Sequence, residues 1–189
     1  MFRLFIENQV TNLGIVEIKY FIGKYLLKRK LKKASVCNKF VSLDEVKSIC
    51  MILSIDDKPS QKIFNEIRSV FKPDINVDII GIQCYDSLPV DFVASKYNIV
   101  SSSDFNFFYK LKDHVCKKIS GDKYDVLLHY SATNHLQSHF ISTLIKADSK
   151  ISNCEIQDAS PYNIILHTKG DSDFYFVEQA KHYLESIIR

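Results

Sequence analysis

The chain has 189 residues, 46% hydrophobic and 25% charged, with a formal net charge of +3. That composition excludes a disordered or fibrous polypeptide, and the length suits one domain with or without an appendage. The charge is uneven: up to Lys39, nine Lys and Arg stand against two Glu, a balance of +7, and the remaining 16 basic and 20 acidic residues give −4.

Leu13, Ile15, Ile18, Ile22, Leu26 and Leu27 recur at helical spacing and predict an amphipathic helix from about Val10 to Lys33. Its second half carries Lys24, Lys28, Arg29, Lys30, Lys32 and Lys33 with no acid among them. Such a run suits a solvated face that complements the helix dipole, or a contact with an anionic partner, either nucleic acid or a membrane surface. No stretch approaches the roughly 18 uncharged apolar residues of a membrane span, and no signal-peptide pattern opens the chain.

Ser48 to Ile55 is a near-continuous apolar run that predicts a strand buried on both faces. Pro59 and Ser60 open a helix with Ile63, Phe64, Ile67, Val70 and Phe71 on one stripe, stopped by Pro73, and Val77 to Cys84 is the next strand. Asp86 to Phe108 is irregular, with a short strand around Tyr97 to Val100. A helix near Leu111 to Ile119 follows, and then a clear strand at Tyr124 to Tyr130. Leu136, Phe140, Ile141, Leu144 and Ile145 mark the next helix, Lys150 to Cys154 and Asn163 to His167 two short strands, and Asp173 to Ile188 the last helix. Strands alternating with helices predict an α/β fold. The expected architecture is a Rossmann-like three-layer sandwich with a mostly parallel sheet over residues 41–189, preceded by a basic helical extension over residues 1–40.

The order of Tyr124–Tyr130, Leu136–Ala147, Lys150–Ser152 and Pro161–Leu166, taken with Asp104–Lys110 and the basic helix, resembles an uncharacterised α/β family of Bacteroidetes. The resemblance implies a cytoplasmic protein and supplies no catalytic residues. Residues 123–152 are also similar to the N-terminal half of the heptosyltransferase type, whose second, nucleotide-sugar-binding half has no counterpart within 189 residues.

Phosphate-binding loops need clustered glycines, and the five here, Gly14, Gly23, Gly81, Gly121 and Gly170, are scattered singly. His135 and His139 at i and i+4, with His129 before them, have a spacing that a metal could use. Asn134–His135 equally suits a helix start capped by Thr133 or Asn134, so no metal or cofactor is expected. Parallel sheets bind ligands beyond the carboxyl ends of their strands. That edge is expected to carry Ser54, Asp56, Asp57, Cys84, Tyr85, Asp86, Tyr130, Ser131 and Asn134. Asp56 and Asp57 could hold a divalent cation or form a plain turn before Lys58–Pro59. The aromatic run Asp104–Lys110 has too few cations for base stacking and reads as a loop tucked into the core. Five cysteines without close pairs, Cys37, Cys50, Cys84, Cys116 and Cys154, read as thiols in a reducing compartment.

With no catalytic set assembled, the primary expectation is a non-enzymatic cytoplasmic protein that meets an anionic partner through Lys24, Lys28, Arg29, Lys30, Lys32 and Lys33. The alternative is a small enzyme or ligand-binding protein that takes a nucleotide or nucleotide-sugar-like molecule at the strand-end crevice, with Asp56, Asp57, Tyr130, Ser131 and Asn134 as contacts.

Overall fold

A computed structural model describes residues 2–32, 39–54, 61–83, 98–121, 123–131, 135–154, 160–168 and 172–187. The strands are β1 (Ser48–Ser54), β2 (Asn76–Ile82), β3 (Asn98–Val100), β4 (Lys123–Tyr130), β5 (Lys146–Ser152) and β6 (Ile164–Ile165). The helices are α1 (Phe2–Leu31), α2 (Gln61–Val70), α3 (Asp113–Ile119), α4 (Leu136–Ser142) and α5 (Asp173–Ser186). All six strands form one parallel sheet in the order β3-β2-β1-β4-β5-β6.

The apolar runs place β1 and β4 at the sheet centre because neither can leave a face wet. Ile49 to Leu53 and Val126 to Tyr130 are buried without a break, and each large apolar side chain among them contributes about 1.5–3 kcal/mol by leaving water. Successive residues go to opposite faces. Met51, Leu53, Val126 and Leu128 pack with Phe64 and Ile67 of α2 and Phe176, Val177, Ala180 and Leu184 of α5. On the other face, Cys50, Ile52 and Leu127 pack with Val115 and Ile119 of α3 and Ile141 of α4.

The amino ends of β1 and β4 are clamped by one carboxylate. Asp125 Oδ2 accepts from Lys47 N at 2.8 Å, Ser48 N at 2.9 Å and Ser48 Oγ at 3.0 Å. Burial pushes the Asp125 carboxyl up, but these three donors and the nearby Lys123 outweigh it and hold it below the usual carboxylate range.

Three boundaries differ most from the sequence pattern. The predicted helix through Leu144 and Ile145 stops at Ser142, and β5 starts at Lys146 rather than Lys150. The stop is made in tertiary structure: Lys150 Nζ donates to Ser142 O at 2.8 Å and Ile145 O at 2.7 Å, supplying partners that the last turn of a helix lacks. Helix α1 begins at Phe2 rather than near Val10.

The inner stripe of α1 also differs. Gly23, Leu27 and Leu31 face the domain, while Ile18 is 60% exposed. Leu27 and Leu31 pack on Leu136 and Phe140 of α4 and on Tyr162. At Gly23 the helix meets the 106–110 turn so closely that a Cβ would lie 3.0 Å from Phe108 O. Apolar residues surround this helix, so periodicity alone does not choose a face; the close approach at Gly23 does. The turn is held by Asn106 Oδ1, which accepts from Phe108 N and Lys110 N, and Lys19 Nζ stands 4.4 Å from the Tyr109 ring centre. The aromatic run is thus a seat for α1, with only Phe105 and Leu111 buried in the core.

A candidate ligand crevice at the switch point

Helix α2, which follows β1, lies on one face of the sheet, and α4, which follows β4, lies on the other. The chain therefore parts between β1 and β4 at their carboxyl ends, the place where open parallel sheets leave a crevice. Ser54 ends β1 and Ser131 follows β4, and their hydroxyl oxygens are 3.0 Å apart across this gap.

Ser131 is held rigidly. Asn153, just after β5, accepts from Ser131 N at 3.0 Å and donates through Nδ2 to Ser131 O at 3.1 Å, so one carboxamide continues the strand ladder. Cys154 donates its thiol to the same carbonyl at 3.0 Å. Tyr130 is buried, its ring 5.6 Å from that of Phe176, and belongs to the core. Asp56, Asp57, Cys84, Tyr85, Asp86, Thr133 and Asn134 lie outside the described residues, as do Lys33 and Cys37.

Below the edge lies a polar cluster inside the core. His129 of β4 is 0% exposed, two residues or about 7 Å along the strand from Ser131. The Tyr162 hydroxyl is its hub, 2.5 Å from His129 Nδ1, 2.8 Å from His139 Nδ1 and 3.0 Å from Ser142 Oγ. Ser152 Oγ is 3.3 Å from His129 Nδ1. Burial, and then the neighbouring His139, hold His129 well below the usual imidazole range; burial pushes His139 down to about 4 and Tyr162 strongly upward.

Proton counting assigns the tautomers. Ser142 Oγ donates to His139 O at 2.8 Å, so it accepts from Tyr162, whose single proton is thereby used. Both Nδ1 atoms must then carry hydrogens and donate to the phenol oxygen, leaving each Nε2 as an acceptor. His129 Nε2 is buried without a hydrogen-bond partner. A buried acceptor left open is costly and uncommon, and Ser149 Oγ is a second buried polar atom without a partner.

The candidate metal triad is not assembled by this geometry. His129 and His139 stack edge to face at 5.0 Å and spend their Nδ1 atoms on Tyr162. His135 is the N-cap residue of α4, in place of Thr133 or Asn134, and offers no side-chain cap. Among the described residues no three His, Cys, Asp or Glu are grouped to hold a metal ion.

Of the candidate cations, Arg29 and Lys32 are exposed and Lys24, Lys28 and Lys30 half-buried along α1. Burial lowers the Lys30 ammonium from its ordinary value, with Cys116 opposing and Lys110 adding to that shift. Sequence reasoning missed Asn153, Ser142, Ser152 and Tyr162. The one available signal was an unusual density of Ser, His and Asn in segments otherwise apolar enough for the core.

Residues 19–187 match the model of a family of unknown function. No curated protein and no solved structure matches the chain.

Proposed function

We propose, since the chain belongs to that family (DUF6913) and takes no activity from it, that the protein is a binding protein for a small polar ligand at the crevice between β1 and β4. The observation that carries the reading is the meeting of Ser54 and Ser131 at the point where strand order reverses, above a buried cluster with an open acceptor on His129. The group described at the surface there is the half-buried Ser54 hydroxyl, backed by the buried Ser131 hydroxyl at 3.0 Å, without a fixed charge. This pair suits the ribose or sugar hydroxyls of a nucleoside or nucleotide-sugar-like ligand better than bare phosphate. Cytoplasmic residence forms part of the proposal, supported by Cys50, Cys116 and Cys154 as free thiols.

The test is thermal unfolding of the full chain with uridine, uridine diphosphate and uridine diphosphate glucose in turn. A ligand at about one hundred times its Kd adds about 2.7 kcal/mol. The reading expects a higher Tm for the wild type with at least one of them and a smaller rise for the Ser54→Val, Ser131→Val double variant. Equal rises in both proteins, or none in the wild type, would overturn it.

A further inference from the structure

Helix α1 carries a second apolar face that the domain does not use. At 1.5 Å per residue its 30 residues span about 45 Å, and the contacts described above engage Lys19 to Leu31. Val16 and Tyr20 continue the inner stripe of Leu27 and Leu31 but are 56% and 48% exposed. Opposite them, Ile18, Phe21 and Tyr25 are spaced i, i+3 and i+7 and are 60%, 74% and 62% exposed. That same outer face continues into Arg29 and Lys32, both exposed, with half-buried Lys28 on one edge, half-buried Lys24 beyond it toward the inner stripe, and Glu17 the one acid between residues 14 and 32.

We propose that this outer face docks the protein on an anionic membrane surface, with Phe21 and Tyr25 at headgroup depth and Lys24, Lys28, Arg29 and Lys32 against acidic lipid. No helix among the described residues is long and apolar enough to cross a membrane, so α1 would lie in the interface plane. Aromatic rings beside cations on a single helical face suit that boundary, where one end of each side chain is apolar and the other wet. A nucleic-acid backbone would satisfy the cations but leave aliphatic Ile18 in water. A second copy of the face would bring like charges into one interface. Leu27 and Leu31 meanwhile keep the helix fixed to α4, so docking uses a surface that is already folded.

Co-sedimentation with vesicles tests this independently of the crevice. The full chain should pellet with a two-to-one mixture of phosphatidylcholine and phosphatidylserine and stay in solution with phosphatidylcholine alone. Each cation near such a surface raises partitioning about fivefold, so Lys24, Lys28, Arg29 and Lys32 all changed to Gln should weaken binding at least about a hundredfold. Phe21→Ser with Tyr25→Ser should weaken binding about tenfold or more at unchanged Tm, because both rings are exposed in the free protein. Retention on heparin without vesicle binding would assign the cations to a polyanion and overturn the proposal. Vesicle binding indifferent to the Phe21 and Tyr25 changes would overturn it as well.

Discussion

Acid should unfold this protein through its core before its carboxylates titrate. Burial keeps His129 and His139 neutral, and His139 is pushed down to about 4 from an ordinary 6.5. In the unfolded chain both imidazoles regain the ordinary value, so between the two pKa values the unfolded state binds more protons and stability rises with pH. The contribution is whole above about 6.5 and is lost as pH falls toward 4. The difference of roughly 2.5 pKa units for His139 corresponds to about 3 kcal/mol at about 1.4 kcal/mol per unit, of which about 2 kcal/mol is gone by pH 5. His129 adds a loss of the same sign. At about 2–4 °C per kcal/mol for a chain of this size, Tm at pH 5 should lie at least about 5 °C below its value at pH 7.5. Asp125, held below its ordinary 3.8, keeps its charge over this window and does not confuse the result. Urea unfolding across the pH range, for the wild type and His139→Gln, reads the slope directly. The wild type should lose stability more steeply between pH 6.5 and 4.5, by up to about one proton. Equal slopes in the two proteins, or a wild type as stable at pH 5 as at 7.5, would refute the assignment of both rings as neutral and buried.

Three further outcomes follow from the packing. Asp125→Ala removes the acceptor shared by Lys47 and Ser48 and should cost about 2–3 kcal/mol in chemical denaturation; a loss under 0.5 kcal/mol, the range of ordinary surface changes, would mean that the strand pairing does not need the clamp. Gly14→Ala, with nothing within 4 Å of its Cβ, should raise stability or α1 helicity by up to about 1 kcal/mol. Gly23→Ala meets Phe108 O at 3.0 Å and should give no such gain; equal gains at the two positions would show that α1 does not sit against the 106–110 turn. Among Cys50, Cys116 and Cys154, half-buried Cys116 should react first with a thiol reagent, and Cys50, its thiol pushed up to about 12 by burial, should stay silent until unfolding.

The sheet was legible because its central strands cannot be anything else. Ile49–Leu53 and Val126–Leu128 are apolar on both faces, and the helices between strands favour parallel pairing, so a parallel sheet with these strands inside it followed from the pattern, while the order that sets β1 between β2 and β4 did not. The start of β5 was not legible: Lys146, Ser149 and Lys150 look like surface, and the strand begins there by pairing Lys146 with Lys123 of β4 while Lys150 caps the end of α4. The cluster below the crevice was hidden for a related reason. A His or Ser inside an apolar run carries no sign of whether a partner waits in space, and Tyr162 reaches His129 from 33 residues away. The spacing of His135 and His139 was compatible with a metal, since helical geometry puts i and i+4 on one face, or with a helix start; His135 is the N-cap residue and His139 is buried in α4.

Tyr162 joins helix α1 to the buried polar cluster. Its ring is packed with Leu27 and Leu31 of α1, and its hydroxyl organises His129, His139 and Ser142. The two roles separate by mutation. Tyr162→Phe keeps the apolar ring and removes the hub, leaving His139 Nδ1 without this partner and Ser142 Oγ without its donor, at a cost of about 2 kcal/mol. Hydrogen exchange of α1 amides should be unchanged in that variant. Tyr162→Ala also opens a cavity under Leu27 and Leu31, for a total nearer 4 kcal/mol, and should speed exchange over residues 23–31. Equal exchange of α1 in both variants would show that Leu136 and Phe140 anchor the helix without Tyr162. Faster exchange in Tyr162→Phe would show instead that the buried hydrogen bonds, and not the ring, set how firmly the basic helix is held.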